Sequence, residues 1–262
     1  MEFVAIAVVA ALASALTMYS GFGLGTLLLP AFSALLPVPI AIAATAAVHA
    51  ANNVLKGALL ARHADRTTLL RFGLPAVGAA LAGAALLASL ASMPVVATYA
   101  VAGHVATVTP VKLAVALLMA AFAILELHPK FEHLAFGRQW LPLGGVLSGF
   151  FGGFSGHQGA LRSAFLAKSG LSAQAFVGTN AVIGLAVDMT RLAVYAVGWQ
   201  FAAANPFADR QVQLLVGTGI AAAFTGALVG KRYLHKVTMR LVQRLTGVLL
   251  LAMAGLVGAG VL

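Results

Sequence analysis

Long apolar stretches dominate the chain, and polar residues are concentrated in the short links between them. The apolar runs predict membrane spans at 40–60, 72–90, 111–127, 172–199, 211–229 and 245–262. Each run is close to the roughly 20 residues that a helix needs to cross a bilayer. The alternating strands of a membrane barrel are not visible. The pattern predicts an all-α polytopic membrane protein.

Two further apolar stretches, at 4–36 and 141–168, are interrupted by glycine-rich sequences. The first is broken by SGFGLG at 20–25, and the second by SGHQG at 155–159. Inside lipid, non-helical backbone persists only where protein covers it or water reaches it. We therefore expect each break to face a polar cavity within the protein.

The two halves of the chain, 1–128 and 129–262, follow the same order: a broken segment and then three spans. At an offset of about 135 residues, Asn53 matches Asp188 and Lys56 matches Arg191. Interrupted helices at matching positions of a duplicated chain are typical of transporter binding sites. This predicts one integral membrane domain that consists of two repeats.

Composition and charge then constrain the topology. Only 8% of the residues are charged, against about 25% in soluble domains. The net charge is +10, and its basic residues cluster in the links at 62–71, 130–138 and 231–240. Cytoplasmic loops carry an excess of Lys and Arg. All three links lie inside only if each broken segment is a hairpin that enters and leaves on the same side.

This solution predicts two inverted repeats, each a re-entrant broken-helix hairpin followed by three transmembrane helices. The linker at 91–110 and both termini would lie outside, with Lys112 and Arg210 as minor exceptions to the charge bias. The two hairpin tips would meet near the middle of the membrane.

Polar residues in the spans and breaks are candidate substrate-binding residues, because charged groups inside a membrane are costly and mark a pathway or a site. Arg162 offers a planar fork of donors that suits an oxyanion. Glycines expose backbone N–H groups at the positive ends of the helical arms. His157 is a candidate carrier of a coupled proton. The candidates are Ser20, Gly21, Gly23, Asn52, Asn53, Lys56, Ser155, Gly156, His157, Gln158, Gly159, Arg162, Asn180, Asp188 and Arg191.

Structural explanations compete with each of these assignments. The glycines could serve close helix packing, and Ser20 and Ser155 could cap the arms that follow them. Arg162 could extend its head group to the membrane interface. Asp188 and Arg191 are three residues apart on one helix face and could neutralise each other.

Enzyme motifs are missing from the sequence: it contains no H-E-x-x-H, no P-loop and no G-x-S-x-G. The chain has six acidic residues and no cysteine, and only Asp188 is expected deep in a span. No basic-aromatic array suggests nucleic acid. We expect no catalytic residue, no bound metal and no cofactor, so the protein is not expected to be an enzyme.

The repeats and their breaks resemble the sulfite exporter TauE/SafE family of membrane permeases. The resemblance covers nearly the whole chain and rests on SGFGLG at 20–25, with Pro30 beyond it, and on SGHQG at 155–159. It implies transport of small anions, typically sulfite, sulfonates or related sulfur-containing species. His157 and Arg162 depart from the first repeat, which has Phe22 and Leu27 there, as expected of a divergent subgroup.

The sequence and the resemblance together predict a secondary transporter that exports small anions across the inner membrane by alternating access. The anion would bind between the hairpin tips. A passive anion channel, with the tips as its filter, is the alternative. The expected partners are the anion and the lipid bilayer, and not nucleic acid. A coupled proton or another ion, and assembly into a homodimer, stay open.

Overall fold

The structure is a computed structural model that describes residues 1–20, 23–101, 103–129, 135–201, 205–233 and 239–262. For 18–20, 104, 200–201, 231–233 and 239–242 the description is of the backbone. The helices are α1 (Glu2–Ser20), α2 (Leu24–Ser33), α3 (Val38–Leu60), the single turn α4 (Arg66–Thr68), α5 (Leu74–Ala91), α6 (Pro110–Leu127), α7 (Leu141–Ser155), α8 (Gly159–Leu166), α9 (Ala173–Phe201), α10 (Arg210–Tyr233) and α11 (Met239–Gly258). The strands are β1 (Ala97–Val101) and β2 (His104–Val108).

The predicted class, an all-α polytopic membrane protein, is confirmed. In the described part of the chain, five helical segments are long and apolar enough to cross a membrane, and they coincide with five of the six predicted spans. The sixth, expected at 245–262, is α11, which begins and ends earlier in the chain. Its described apolar portion, Gln243–Gly258, is shorter than the others.

The linker at 91–110 contains a β-hairpin that the sequence analysis did not predict. Its two strands are antiparallel and rich in Val and Thr, whose branched side chains favour strands. The Tyr99 hydroxyl donates to the carbonyl of Ala259 at 2.5 Å. The N–H of Thr107 donates to the carbonyl of Gly260 at 2.8 Å. The hairpin therefore packs against the C-terminal end of the chain.

Helices α7 and α8 fold back on each other. Gly156 between them has φ 85°, a left-handed conformation that glycine adopts without steric cost. The N–H of Phe136, ahead of α7, donates to the carbonyl of Ala164 near the end of α8 at 3.3 Å. Arg138 Nε donates to the carbonyl of Ser169 at 2.6 Å. The chain therefore returns, at the end of α8, to the place where α7 begins.

The first broken segment brings its break next to the second. Gly23, which precedes α2, has φ 108°. A Cβ built on Gly25 would lie 3.6 Å from the carbonyl oxygen of Gly156. Gly21 and Phe22, which are part of the predicted break, lie outside the described residues. The described flanks of the two breaks are thus in contact.

The main helix pairs follow the sequence repeat. Helix α1 packs on α10, and α7 packs on α5; α3 packs on α9, and α6 packs on α11. In the predicted repeat, α1 corresponds to α7, α3 to α9, α5 to α10 and α6 to α11. Exchanging corresponding helices turns the α1–α10 pair into the α7–α5 pair, and it leaves the α3–α9 and α6–α11 pairs unchanged. This is the pattern expected of two halves related by a twofold axis.

The described basic links lie together at one end of the helices, which we call the basic end and define by Arg62, Arg66, Arg138 and Lys168. Near them, Asp65 accepts a hydrogen bond from the N–H of Thr68 at 2.7 Å. Hydrogen bonds from the side chain and the backbone N–H of Thr68, together with the nearby Arg138 guanidinium, hold the pKa of the Asp65 carboxyl below its usual value. The N–H of Asp65 also donates to Thr179 at 2.9 Å, which ties the link after α3 to the start of α9.

The opposite end holds the β-hairpin, the C-terminal residues and the start of α1. Glu2 accepts a hydrogen bond from Gln211 Nε2 at 3.0 Å, so α1 and α10 begin side by side. The Trp199 and Phe207 rings, 5.6 Å apart, place the link between α9 and α10 at this end. Most of the predicted basic links at 130–138 and 231–240 lies outside the described residues.

Glycines allow two pairs of parallel helices, α5 with α7 and α1 with α10, to approach closely. A Cβ built on any of five glycines would collide with the backbone of the facing helix, so only glycine fits there. Small residues serve the same purpose in many membrane helix pairs. The pairs are Gly145 with Phe72, Gly149 with Ala76, Gly153 with Ala80, Gly226 with Ala11 and Gly230 with Ala15.

We expect Gly149→Ala to destabilise the protein, because the new methyl group must displace the backbone of Ala76. Overpacking of this kind costs about 1–3 kcal/mol. The matched control is Gly78→Ala on α5, since a Cβ there would meet no atom within 4 Å. Thermal unfolding of the purified protein should show a lower midpoint for Gly149→Ala alone. Equal midpoints for the two variants would contradict the close packing of α5 on α7.

Candidate functional site

Asp188 on α9 is fully buried and joins three parts of the fold through its carboxylate. His49 Nδ1 of α3 lies 2.5 Å from Oδ2, and Asn53 Nδ2 donates to the same oxygen at 3.2 Å. The other oxygen, Oδ1, accepts from Gln158 Nε2 in the second break at 3.1 Å and from Arg191 Nη2 at 2.8 Å. The break, α3 and α9 therefore meet at one buried charge.

Two predictions about Asp188 can be compared with this geometry. The intrahelical pair with Arg191 is present, as its i,i+3 spacing suggested. Asn53 and Asp188, which match each other in the repeat, also touch where α3 packs against α9. Residues near a twofold axis are expected to meet their own counterparts, so this contact agrees with the order of the helix pairs.

Arg162 on α8 is only 1% exposed, and its guanidinium points into the helix cluster. Nη1 donates to Gln158 Oε1 at 2.8 Å, and Nε donates to Asn180 Oδ1. The suggestion that Arg162 extends to the membrane interface is therefore wrong. Its described hydrogen bonds go to neutral amides, which leave its charge uncompensated.

Helix α1 contributes backbone and hydroxyl groups to the same region. Lys56 is buried, and its Nζ donates to the carbonyl of Thr17 at 3.3 Å. Ser14 Oγ donates to Asn52 Oδ1 at 3.1 Å. These bonds hold the end of α1 against α3, next to the first break.

The buried charges in this region do not balance. Lys56, Arg162 and Arg191 are the buried cations of this region, and Asp188 is the carboxylate paired with Arg191. With His49 neutral, three positive charges and one negative charge leave an excess of two positive charges. Uncompensated buried charge is strongly unfavourable. The arrangement is suited to a negatively charged ligand.

Several buried polar atoms in this region are also without a hydrogen-bond partner among the described residues. Such groups are rare in folded proteins and indicate a place for a ligand or water. A Cβ on Gly156 would lie 2.8 Å from one of these atoms, Arg191 Nη1, so the break passes close to it. The atoms are Asn52 Nδ2, His157 Nε2, Asn180 Nδ2 and Arg191 Nη1.

His157 has its own surroundings within the second break. Its Nδ1 lies 2.9 Å from Ser155 Oγ, and its ring stacks on Phe122 with centroids 5.3 Å apart. Ser155 Oγ also donates to the carbonyl of Phe151 at 3.3 Å. Ser155 therefore does not cap α8, whose N-cap residue is Gln158 and whose first residue is Gly159.

A small pocket lies beside the charge cluster, toward the basic end. Its α9 residues precede Asp188, and α9 begins at the basic end. The pocket brings a cation, two amides and a histidine to one surface. It is lined by Thr17, Leu24, His49, Asn53, Lys56, Val177, Asn180 and Ala181.

The structure thus brings seven of the fifteen candidates together. Asn53, Gln158, Arg162, Asn180, Asp188 and Arg191 form one hydrogen-bonded network, and Lys56 lines the pocket beside it. Asn52 instead bonds to Ser14 on α1. Ser20 is the last residue of α1, and Gly23 precedes α2. The side chain of Ser20 and the whole of Gly21 lie outside the described residues.

Three polar residues in buried positions were missed from the sequence. His49 lies four residues before Asn53 and seven before Lys56, a spacing that places it on the same face of α3. Tyr195, four residues after Arg191, donates its hydroxyl to the carbonyl of Gly153 at 2.5 Å. Glu126 is also buried, but it lies at the penultimate position of α6, near the end of that span.

Comparison with protein families gives one match. The family described as Sulfite exporter TauE/SafE matches residues 6–257, nearly the whole chain. Comparison with curated proteins and comparison with solved structures give no match.

We expect Asp188→Asn to destabilise the protein strongly, because Arg191 would then be a buried cation without its carboxylate. Removing one partner of a buried pair costs about 3–5 kcal/mol. The double variant Asp188→Asn/Arg191→Gln should recover part of this loss. Thermal unfolding of the wild type, both single variants and the double variant measures the coupling. A double variant no more stable than Asp188→Asn would contradict the pairing.

Proposed function

We propose that the chain, which belongs to the sulfite exporter TauE/SafE family of membrane transporters, exports small anions such as sulfite or organosulfonates across the bacterial inner membrane. The observation that carries this proposal is the excess of buried positive charge around Asp188. A transporter must release its anion again, so the positive charges of its binding site cannot all be neutralised by the protein's own carboxylates. The site is thus expected to be stable only with an anion or water in place.

In the proposed complex, the anion lies in the pocket beside the charge cluster, next to the first break. Lys56 and the Arg162 fork supply charge, and Asn180 Nδ2, which has no partner among the described residues, supplies a hydrogen bond. Helices α2 and α8 begin at the two breaks, and the positive ends of their dipoles favour a bound anion there. We assign the site no catalytic activity.

The order of the helix pairs supports two inverted repeats, 1–128 and 129–262. The hairpin of α7 and α8 has both its ends near Arg138, at the basic end. The first broken segment starts at the opposite end, where Glu2 bonds to Gln211. Hairpins that enter from opposite ends and meet at the site would allow each half to open one side in turn.

A second pocket supports alternating access over a passive channel. It measures ≈ 420 Å³ and lies at the end opposite to the basic end. Tyr195, which bonds to Gly153, stands between this pocket and Arg191. Two pockets that share no lining residue suit a transporter, whereas a channel needs a continuous path. The pocket is lined by Pro37, Pro39, Ile40, Leu87, Ala88, Ala91, Ser92, Tyr195, Gly198 and Trp199.

We expect Arg162→Gln to weaken anion binding, because the site loses both a charge and a bidentate donor. Hydrogen bonds to charged groups contribute enough that affinity should fall roughly 10- to 100-fold. Arg162→Lys keeps the charge without the planar fork and should bind with intermediate affinity. Calorimetry with sulfite, thiosulfate and methanesulfonate on the purified protein measures the change.

The matched control for Arg162→Gln is Arg71→Gln, which removes an exposed cation of the same type. This control should bind anions as the wild type does. Thermal unfolding of each variant establishes that it is folded. Wild-type affinity in folded Arg162→Gln would exclude Arg162 from the anion site and leave Lys56 as the main buried cation there.

Alternating access predicts opposite changes of accessibility in the two pockets. The chain has no cysteine, so Ala181→Cys and Ala88→Cys each place a single thiol, one in each pocket. In sided vesicles, a membrane-impermeant thiol reagent should reach Ala181→Cys from the cytoplasmic face only when that side opens, since Ala181 is buried here. It should reach Ala88→Cys from the other face. Bound anion should raise one labelling rate and lower the other.

The control for labelling is Ala43→Cys, in a fully buried position of the core, which should stay unreactive. If the two rates rise or fall together, the passive channel is the better description. If the reagent reaches Ala181→Cys only from the outer face, the proposed orientation of the basic end is wrong.

A further inference from the structure

His49 connects the proposed anion pocket with the buried carboxylate. Its ring lines the pocket together with Lys56 and Asn180. Its Nδ1 lies 2.5 Å from Asp188 Oδ2, so with a proton on Nδ1 the ring donates to the carboxylate. Nε2 is then an acceptor that is able to take a second proton. In the described network, His49 is the residue with a titratable ring that contacts Asp188, and it also lines this pocket.

The charged groups around His49 oppose a second proton on its ring when the site is empty. Cations face it from its own helix, from α8 and from α9, and Asp188 is the carboxylate among these neighbours. The described parts of α1 and α2 at the pocket contribute only the neutral residues Thr17 and Leu24. The cations are Lys56, Arg162 and Arg191, and the titratable ring of His157 lies in the adjacent break.

A bound anion reverses this balance. It compensates the excess positive charge, so a positive imidazolium becomes favourable beside Asp188. The proton passes from water to His49 Nε2, and the pair becomes an imidazolium bonded to a carboxylate. In the empty site the same proton is released to water. Anion and proton therefore favour each other's binding, and the coupling is reciprocal by thermodynamic necessity.

We propose that His49 and Asp188 together form the proton-binding site of this transporter, so that a proton moves in the same direction as the anion. This inference rests on the proposed function and adds the coupling ion to it. Gln158 bonds to both Asp188 and Arg162, so a change of charge at the pair acts directly on the second hairpin.

The sequence had suggested His157 as the proton carrier, and its contacts are less suited to that role. Its Nδ1 is occupied by Ser155, and its ring is stacked on Phe122. Its described hydrogen bonds do not lead to Asp188. The carboxylate that can stabilise an imidazolium is bonded to His49 instead.

The test uses methanesulfonate and thiosulfate, because the charge of neither anion changes near neutral pH. Calorimetry on the purified full-length protein, from about pH 5.5 to about pH 8.5, covers the range of an ordinary histidine. Affinity should fall as the pH rises, by up to ~10-fold per pH unit for one linked proton. Repeating the titrations in buffers with different ionisation enthalpies should show uptake of close to one proton per anion.

The variant His49→Gln should bind both anions with little dependence on pH and without proton uptake. His63→Gln, which changes a histidine at the basic end, is the matched control and should keep the wild-type pH dependence. If His157→Gln removes the pH dependence and His49→Gln retains it, the proton site belongs to His157 and the proposal is overturned. Thermal unfolding establishes that each variant is folded.

The wild-type proton count is able to overturn the proposal even if His49→Gln does not fold. Anion binding with pH-independent affinity and no proton uptake would overturn the proton site and leave the anion transporter proposal standing. Failure of the wild type to bind sulfite, thiosulfate or methanesulfonate at any pH would instead contradict the proposed function itself. The two results are therefore distinguishable.

Discussion

The burial of the Asp188 carboxylate between membrane helices constrains the rest of this structure. A charge between membrane helices persists only where other groups compensate it. Here one carboxylate accepts hydrogen bonds from α3, from α9 and from the second break, and three cations lie close by. The helices that carry these groups are held in register by the same bonds. The cations outnumber the carboxylate, so the cluster needs an anion or water to compensate its excess positive charge.

Close helix packing positions this cluster. Glycines on α7 bring it against α5, and glycines on α10 bring it against α1, so both broken segments are held by parallel neighbours. The chain after Ser155 then turns at Gly156 into α8 and returns to the basic end. Glycine thus has two separate roles here. Gly145, Gly149 and Gly153 allow close approach, and Gly156 allows a backbone conformation that other residues rarely adopt.

Much of this architecture was predictable because membranes impose simple rules on sequence. Length and hydropathy predicted the spans, and the breaks at 20–25 and 155–159 were recognisable as glycine-rich interruptions. The strands of the 97–108 hairpin were missed; they pair with each other, and the hairpin contacts the C-terminal residues near Gly260. His49 was missed because its importance comes from α9, 139 residues away in sequence. Its spacing from Asn53 and Lys56 was the available signal.

By itself, the sequence determined the membrane class, the family resemblance, the order of the spans and the residue types available for chemistry. These depend on composition, spacing and motif, which are local properties of the chain. The tertiary structure decided which polar residues meet. Burial distinguished Arg162 from an interfacial arginine, and the packing of α3 on α9 brought His49 to Asp188. The balance of buried charge is a property of that packing, because it depends on which helices face each other.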